Sequence, residues 1–305
     1  MARDYAIYDV FTGTKLAGNP LAVVFDAEGL SDAAMQAIAR ETNLSETVFC
    51  LPPENRTHAM RLRIFTPATE LPFAGHPTVG TAIALAERAQ GEAAADLDLV
   101  SVLEEKVGPV RCAVKLKAGE VSFAEFDLPQ KSARIAYEPD REGIAAMLGL
   151  KVTEIGFENY QPGLWSAGVP FLLVPVHDIT AVESVLLDRA IWNRVSPADG
   201  IRRAPVFVFC RGGVHHQANF HARMFSPSMG IAEDPATGAA VAALSGAIHH
   251  FDDLPDGSHA IIIEQGVEMG RPSHIHLHID ADGGEIARAR IGGQAVRVAS
   301  GQLLL

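Results

Sequence analysis

The chain has 305 residues, 48% hydrophobic and 20% charged, with 27 Gly and 18 Pro, which excludes a disordered, collagen-like or fibrous protein. Its length predicts two domains at about 100–200 residues each. The formal net charge of −12, with no run of Lys or Arg, excludes the basic footprint of a nucleic-acid binder.

Alternating apolar runs between Gly, Pro and Asp predict strands over Tyr5–Phe11, Leu21–Phe25, Thr47–Leu51, Met60–Phe65, Val110–Leu116 and Val121–Leu128. Helical spacing marks Ser31–Arg40, where Ser31 is a cap and Met35 and Ile38 share a face. It returns at Thr78–Arg88, Arg141–Leu148, Ala181–Arg194 and Ala236–His249. Further strands are expected at Phe171–Val176, Val206–Cys210, Ala218–Phe225, Ala260–Glu264, His274–Ile279 and Ala295–Leu304. Many strands and few helices without regular alternation predict an α+β fold.

Three segments of the first half recur in the second in the same order. Val48–Cys50 reappears at Val208–Cys210, and Arg63, Phe65, Thr66 and Pro67 at Arg223, Phe225, Ser226 and Pro227. Both pairs lie 160 residues apart (210 − 50 and 225 − 65). His76-Pro-x-x-Gly-x-Ala82 then matches Asp234-Pro-x-x-Gly-x-Ala240 at a spacing of 158 (234 − 76). The register implies two similar halves, placed at 1–130 and 131–305, with the last strand open to packing back on the first half.

Each recurring turn leads into an alanine-rich stretch that is apolar on nearly every side, the pattern of a buried helix. Pro77 and Pro235 suit the first helical position, with Asp234 as N-cap and His76 in the equivalent place. Two buried helix N-termini offer a site for a small carboxylate and for enolate-like charge beside it. Taken alone, Asp234 reads more readily as a plain cap, and it is the pairing of the two turns that favours a site.

The segments Asp9–Thr12, Gly18–Val23 and Asn43–Thr47 resemble the phenazine-biosynthesis isomerases, or PhzF-like proteins. The likeness continues through Phe65–Pro67, Glu70–Thr78, Glu233–Gly238, Gln265-Gly266 and Gly270–Ser273, and so spans nearly the whole chain. It implies a diaminopimelate-epimerase-like fold, in which two similar domains each wrap a curved, mostly antiparallel sheet round a central helix. It also implies a cofactor-free isomerase, a homodimer, and a small carboxylate substrate. By the same resemblance Glu46 is the general acid/base, with His76 and Asp234 as the other polar catalytic residues. Gly75, Pro77, Thr237, Gly238 and Ala239 would line the substrate. The family's phenazine members carry Ser where this chain has Ala239, which puts 2,3-dihydro-3-hydroxyanthranilate in doubt as substrate.

Cys50, Cys112 and Cys210 are odd in number and widely spaced, which argues against a disulfide framework. Neither recurring turn holds a Cys, so two-cysteine epimerisation is not expected. His274, His276 and His278 alternate on a strand and share a face; His-x-His can hold zinc or iron, but no carboxylate motif accompanies it and no metal is expected. His215-His216 and His249-His250 read as loop and helix-end residues, and Arg271 reads equally as a substrate-carboxylate partner or an internal ion pair. The N-terminal sequence has no signal pattern and no apolar run spans a bilayer, so a cytoplasmic location without membrane contact is expected. Two other readings stay open: a carboxylate-binding protein that has lost its chemistry, and a dehydratase on the same scaffold.

Overall fold

The computed structural model describes residues 2–91, 96–199 and 202–305. The chain forms two compact units, Met1–Pro129 with Ile291–Leu305, and Gln130–Arg290. The terminal segment Ile291–Leu305 therefore belongs with the first unit, not with the half in which it lies in sequence.

The first unit runs β1 (Ala2–Val10), β2 (Asn19–Val24), α1 (Asp32–Thr42), β3 (Glu46–Leu51), β4 (Met60–Phe65), β5 (Glu70–Leu71), α2 (Gly75–Gln90), β6 (Leu97–Glu105), β7 (Gly108–Leu116) and β8 (Phe123–Asp127). The second runs β9 (Ala133–Ile135), α3 (Arg141–Leu148), β10 (Gly163–Ser166), β11 (Pro170–Pro175), α4 (Ile179–Glu183) and α5 (Arg189–Val195). It continues through β12 (Ala198–Asp199), β13 (Arg202–Arg203), β14 (Val206–Arg211), β15 (Phe220–Ser226), β16 (Ile231–Asp234), α6 (Gly238–Asp252), β17 (Gly257–Gln265) and β18 (Ser273–Asp282). The last strand, β19 (Glu285–Leu304), pairs antiparallel with β1, Tyr8 lying opposite Arg297.

The two units share a register. In the first, β2 runs parallel to β3, β3 antiparallel to β4, and β4 parallel to β6. In the second, β11 runs parallel to β14, β14 antiparallel to β15, and β15 parallel to β17. The carboxylate of Glu104 accepts the backbone N–H groups of Glu54 and Asn55, each at 2.8 Å. That of Glu264 accepts those of Val214 and His215, also at 2.8 Å. Every one of these residues lies 160 positions from its counterpart (264 − 104, 214 − 54, 215 − 55). The repetition seen in short motifs thus extends to a side chain that ties down the loop before β4 and before β15. A carboxylate serves well there, because two N–H groups at a loop with no strand partner need an acceptor.

In each unit the long alanine-rich helix is buried on nearly every side, α2 against β1, β2, β7 and β8, and α6 against β9, β10, β11 and β18. Small side chains permit that approach. A Cβ on Gly80 would come within 2.6 Å of Leu21 and 2.7 Å of Val10, which explains a glycine in mid-helix despite its entropic cost. Shorter helices cover the opposite sheet faces. Met35, Ile38 and Ala39 of α1 pack on Val24, Phe49 and Phe65. Ser31 caps α1 as expected, accepting the Ala34 N–H at 3.2 Å.

The single helix expected over Ala181–Arg194 is two. The Arg223 guanidinium takes the carbonyls of Val182, Glu183 and Val185 at 3.1–3.2 Å, which ends α4. Asp188 then accepts the N–H groups of Ala190 and Ile191 and starts α5. Both events satisfy orphan helix-end groups, so continuing the helix has no advantage.

Candidate active site

Glu46 and His76 come together in the first unit. Glu46 opens β3, whose parallel pairing with β2 sets it opposite Leu21. His76 is the second residue of α2. Its Nδ1 lies 3.1 Å from Glu46 Oε2, and both side chains are buried, 4% and 9% exposed. Burial drives the His76 ring down to about 3, and a hydrogen bond with the Pro20 backbone only partly opposes this. The ring is therefore neutral near pH 7 and stands against the Glu46 carboxyl as an uncharged neighbour. Its Nε2 is buried and has no hydrogen-bond partner among the described residues. In a well-packed interior such an atom is rare, and it leaves a polar contact for a ligand to make.

Asp234 ends β16 in the second unit and is buried. Its carboxylate accepts the Thr237 hydroxyl at 2.5 Å. Gln265 ties the turn together: its amide donates to the Asp234 carbonyl at 2.7 Å and to Thr237 Oγ at 3.1 Å, and its oxygen accepts the Thr237 N–H at 3.0 Å. Gln265 was given no role by residue pattern, although it belongs to the segment carrying the family resemblance. Only its contacts show that it fixes Asp234. Gly266 beside it has φ +80°, and a Cβ there would meet the Pro235 and Arg271 carbonyls, each at 2.5 Å. Gly266→Ala is expected to destabilise the protein by about 1–3 kcal/mol through strain and overpacking against backbone, read as a lower denaturant midpoint.

Both helix starts differ from the expected caps. The N-cap of α2 is Ala74, with His76 and Pro77 inside the first turn. Pro77 is tolerated there because the N–H it lacks would have had no intrahelical partner. The N-cap of α6 is Thr237, so Asp234, at the end of β16, and Pro235, at a bend, both precede the helix. The Thr237 hydroxyl is turned to Asp234 and does not cap. Neither N-cap side chain caps its helix, and neither first turn holds an acid. Gly75, Pro77, Thr237 and Gly238 are buried beside these ends, and Ala239 is half-buried.

Two arginines brace the segments leading into the helices. Arg63 grips Glu70 through two hydrogen bonds of 2.7 and 2.8 Å. Arg223 grips Glu233, next to Asp234, at 2.7 and 3.0 Å. Bidentate geometry fixes orientation as well as distance.

The remaining candidates fall elsewhere. Cys50, Cys112 and Cys210 are buried free thiols, and burial pushes Cys50 and Cys210 up to about 12. His274, His276 and His278 do share a face of β18, alternating with buried Ile275, Leu277 and Ile279. The His274 and His215 rings lie 4.7 Å apart. Among the described residues no group of three His, Cys, Asp or Glu is arranged to hold a metal. The Arg271 backbone N–H closes a turn onto the Gly266 carbonyl at 2.9 Å. Among the described residues no helix is long and apolar enough to cross a membrane.

Residues 8–301 match the family described as phenazine biosynthesis-like protein. The chain belongs to this family. It is 54% identical over 304 residues to a protein of Mesorhizobium japonicum named an uncharacterized isomerase, covering 99% of both chains. It is 35% identical over 301 residues to the trans-2,3-dihydro-3-hydroxyanthranilate isomerase of Pseudomonas aeruginosa, again covering 99% of both. The crystal structure of a Bacillus anthracis PhzF-family protein superposes with a TM-score of 0.87 at 27% identity, covering all of both chains. This PhzF-like chain is accordingly an isomerase-family enzyme of α+β, diaminopimelate-epimerase-like fold.

Proposed function

We propose that the protein is a cofactor-independent isomerase that moves a proton on a small amino- or hydroxy-carboxylate by general acid/base catalysis. The observation that carries this reading is the buried Glu46–His76 pair at 3.1 Å, with His76 Nε2 left without a partner. A carboxylate in contact with a neutral imidazole can accept a proton from carbon and return one, because neither group must enter bulk water between the two steps. In this reading Glu46 takes and returns the proton, His76 holds its orientation and shares its charge, and Asp234 assists from the turn that Thr237 and Gln265 fix. The N-terminus of α2, where His76 lies, attracts the substrate carboxylate and stabilises charge as the proton leaves. The Pseudomonas relatives point to a dihydro-hydroxyanthranilate-like substrate class, while Ala239 in place of the family's Ser removes a hydroxyl and favours a different ring substituent. By the same family reading the working form is a homodimer in the cytoplasm.

The test is incubation in D₂O with a panel of amino- and hydroxy-carboxylates, trans-2,3-dihydro-3-hydroxyanthranilate included, followed by NMR and mass spectrometry. Carbon-bound deuterium or an isomerised product, absent with Glu46→Gln, is the expected result. Exchange that persists in the variant would move the base elsewhere. Loss of water from the substrate would favour a dehydratase, and binding without exchange a binding protein.

A further inference from the structure

Glu105, the last residue of β6, is 7% exposed and lies beneath the first turn of α2. Its Oε1 is 2.7 Å from Thr78 Oγ, and that same hydroxyl is 2.7 Å from the Ala74 carbonyl oxygen. A hydroxyl carries one proton, and the Ala74 carbonyl can only accept. If Thr78 donates to Ala74, the proton in the other contact must come from Glu105. An ionised Glu105 would instead draw the Thr78 proton to itself and leave two bare oxygens facing each other at 2.7 Å.

Two further observations agree with a protonated Glu105. Its Oε2 has no hydrogen-bond partner among the described residues, so a carboxylate would leave charge buried against nothing. The counterpart 160 positions on is Gln265, whose amide donates to the Thr237 hydroxyl at the start of α6. A carboxylic acid is the nearest shape to an amide that can make the same donation.

We propose that Glu105 is held as a neutral carboxylic acid and is a positioning residue for His76, donating to Thr78 so that Thr78 can fasten the Ala74 carbonyl at the N-cap of α2. The inference rests on His76 being part of the active site as read above. Burial pushes Glu105 up to about 8, and the Thr78 contact opposes this only in part. Among the described residues no cation compensates it: on β4, Arg61 pairs with Glu54 and Arg63 with Glu70 and Asp32, while Lys106 reaches Glu70. Glu104 is taken by the Glu54 and Asn55 backbone and by His58. From β7 the Cys112 thiol stands in its field, itself held protonated by burial, and on β8 Asp127 pairs with Arg111.

Infrared difference spectra at pH 7 should contain the C=O stretch of a protonated carboxyl that vanishes in Glu105→Gln. The NMR signals of the His76 ring should follow a transition centred near pH 8 in the wild type and stay flat from pH 7 to 9 in Glu105→Gln. In Thr78→Val the infrared band should persist while the His76 transition is lost. The sign for stability is set by the raised native value: the wild type loses stability relative to Glu105→Gln as pH climbs from about 4.5 to about 8. The absence of a carboxyl band lost in Glu105→Gln would overturn the protonation. A band with an unmoved His76 would overturn the positioning role. Both readouts are independent of substrate. If they succeed and no carboxylate exchanges deuterium, the isomerase reading fails while the state of Glu105 stands.

Discussion

Glu46→Gln is expected to slow carbon-bound hydrogen exchange by about 10²–10⁴-fold, the range that a positioned general acid/base contributes. Gln fills the same volume at the start of β3 and can still meet His76, but it cannot take a proton from carbon. His76→Gln should cost a loss of the same order. The double variant should fall no further than the worse single one, because in the proposed mechanism the two groups work as a unit. Single losses that multiply in the double variant would show that the residues act independently, against a joint role for two groups 3.1 Å apart. The pH profile adds a sharper check. The His76 ring is held at about 3 by burial, so the rate should show no limb in the ordinary histidine range near 6.5 that disappears in His76→Gln.

Much of this site was legible in the sequence, for reasons that are physical. Short motifs at a constant spacing of 160 mark strands that pair in the same way in each unit, and Phe65 and Phe225 serve the same packing purpose on Leu51-side and Cys210-side sheet faces. The helix starts differ from the motifs, with the α2 cap two residues before His76 and the α6 cap three residues after Asp234, because Asp-Pro and His-Pro are good cap signatures in isolation. Asp234 is instead consumed by Thr237 and Gln265, a contact between residues 31 positions apart that no local rule contains. Pattern reading passed over β6 altogether. Its sequence alternates, but one face carries exposed Asp98 and Val100 with half-buried Val102, and the strand ends in two acids, so neither face reads as core. Half-buried Glu104 and buried Glu105 take roles that only the fold reveals. Nor does anything local single out Glu46: its counterpart 160 residues on is Val206, in the same place on a parallel strand, so the duplication kept the frame and only one copy carries the acid.

The second large effect is structural. His221→Ala is expected to destabilise the protein by about 3–5 kcal/mol, the cost of removing one partner from a buried ionic group. His221 is fully buried on β15, with Nδ1 at 2.7 Å from Glu264 Oε2 and Nε2 at 2.8 Å from Glu268 Oε1. Two carboxylates facing the two ring nitrogens are both satisfied only by an imidazolium, which donates from each. Burial alone would lower the ring, but the hydrogen bonds to Glu264 and Glu268 outweigh it and hold His221 at about 9. The native value lies above the unfolded value near 6.5, so this stabilisation is complete below about 6.5 and is lost as pH rises through about 9. Glu264 and Glu268 are held below the usual carboxylate range although burial opposes it, so their share is present above about 4.5 and is lost as pH falls. Denaturant midpoints of the wild type should therefore form a plateau between these limits, and the alkaline fall should be missing in His221→Ala. The position equivalent to His221 in the first unit is Arg61, whose pair with Glu54 is 39% and 75% exposed. Arg61→Ala should cost far less, because water screens that pair and receives the charge left behind. A loss for His221→Ala as small as that for Arg61→Ala would mean that the buried ring is neutral and that Glu264 and Glu268 keep their protons.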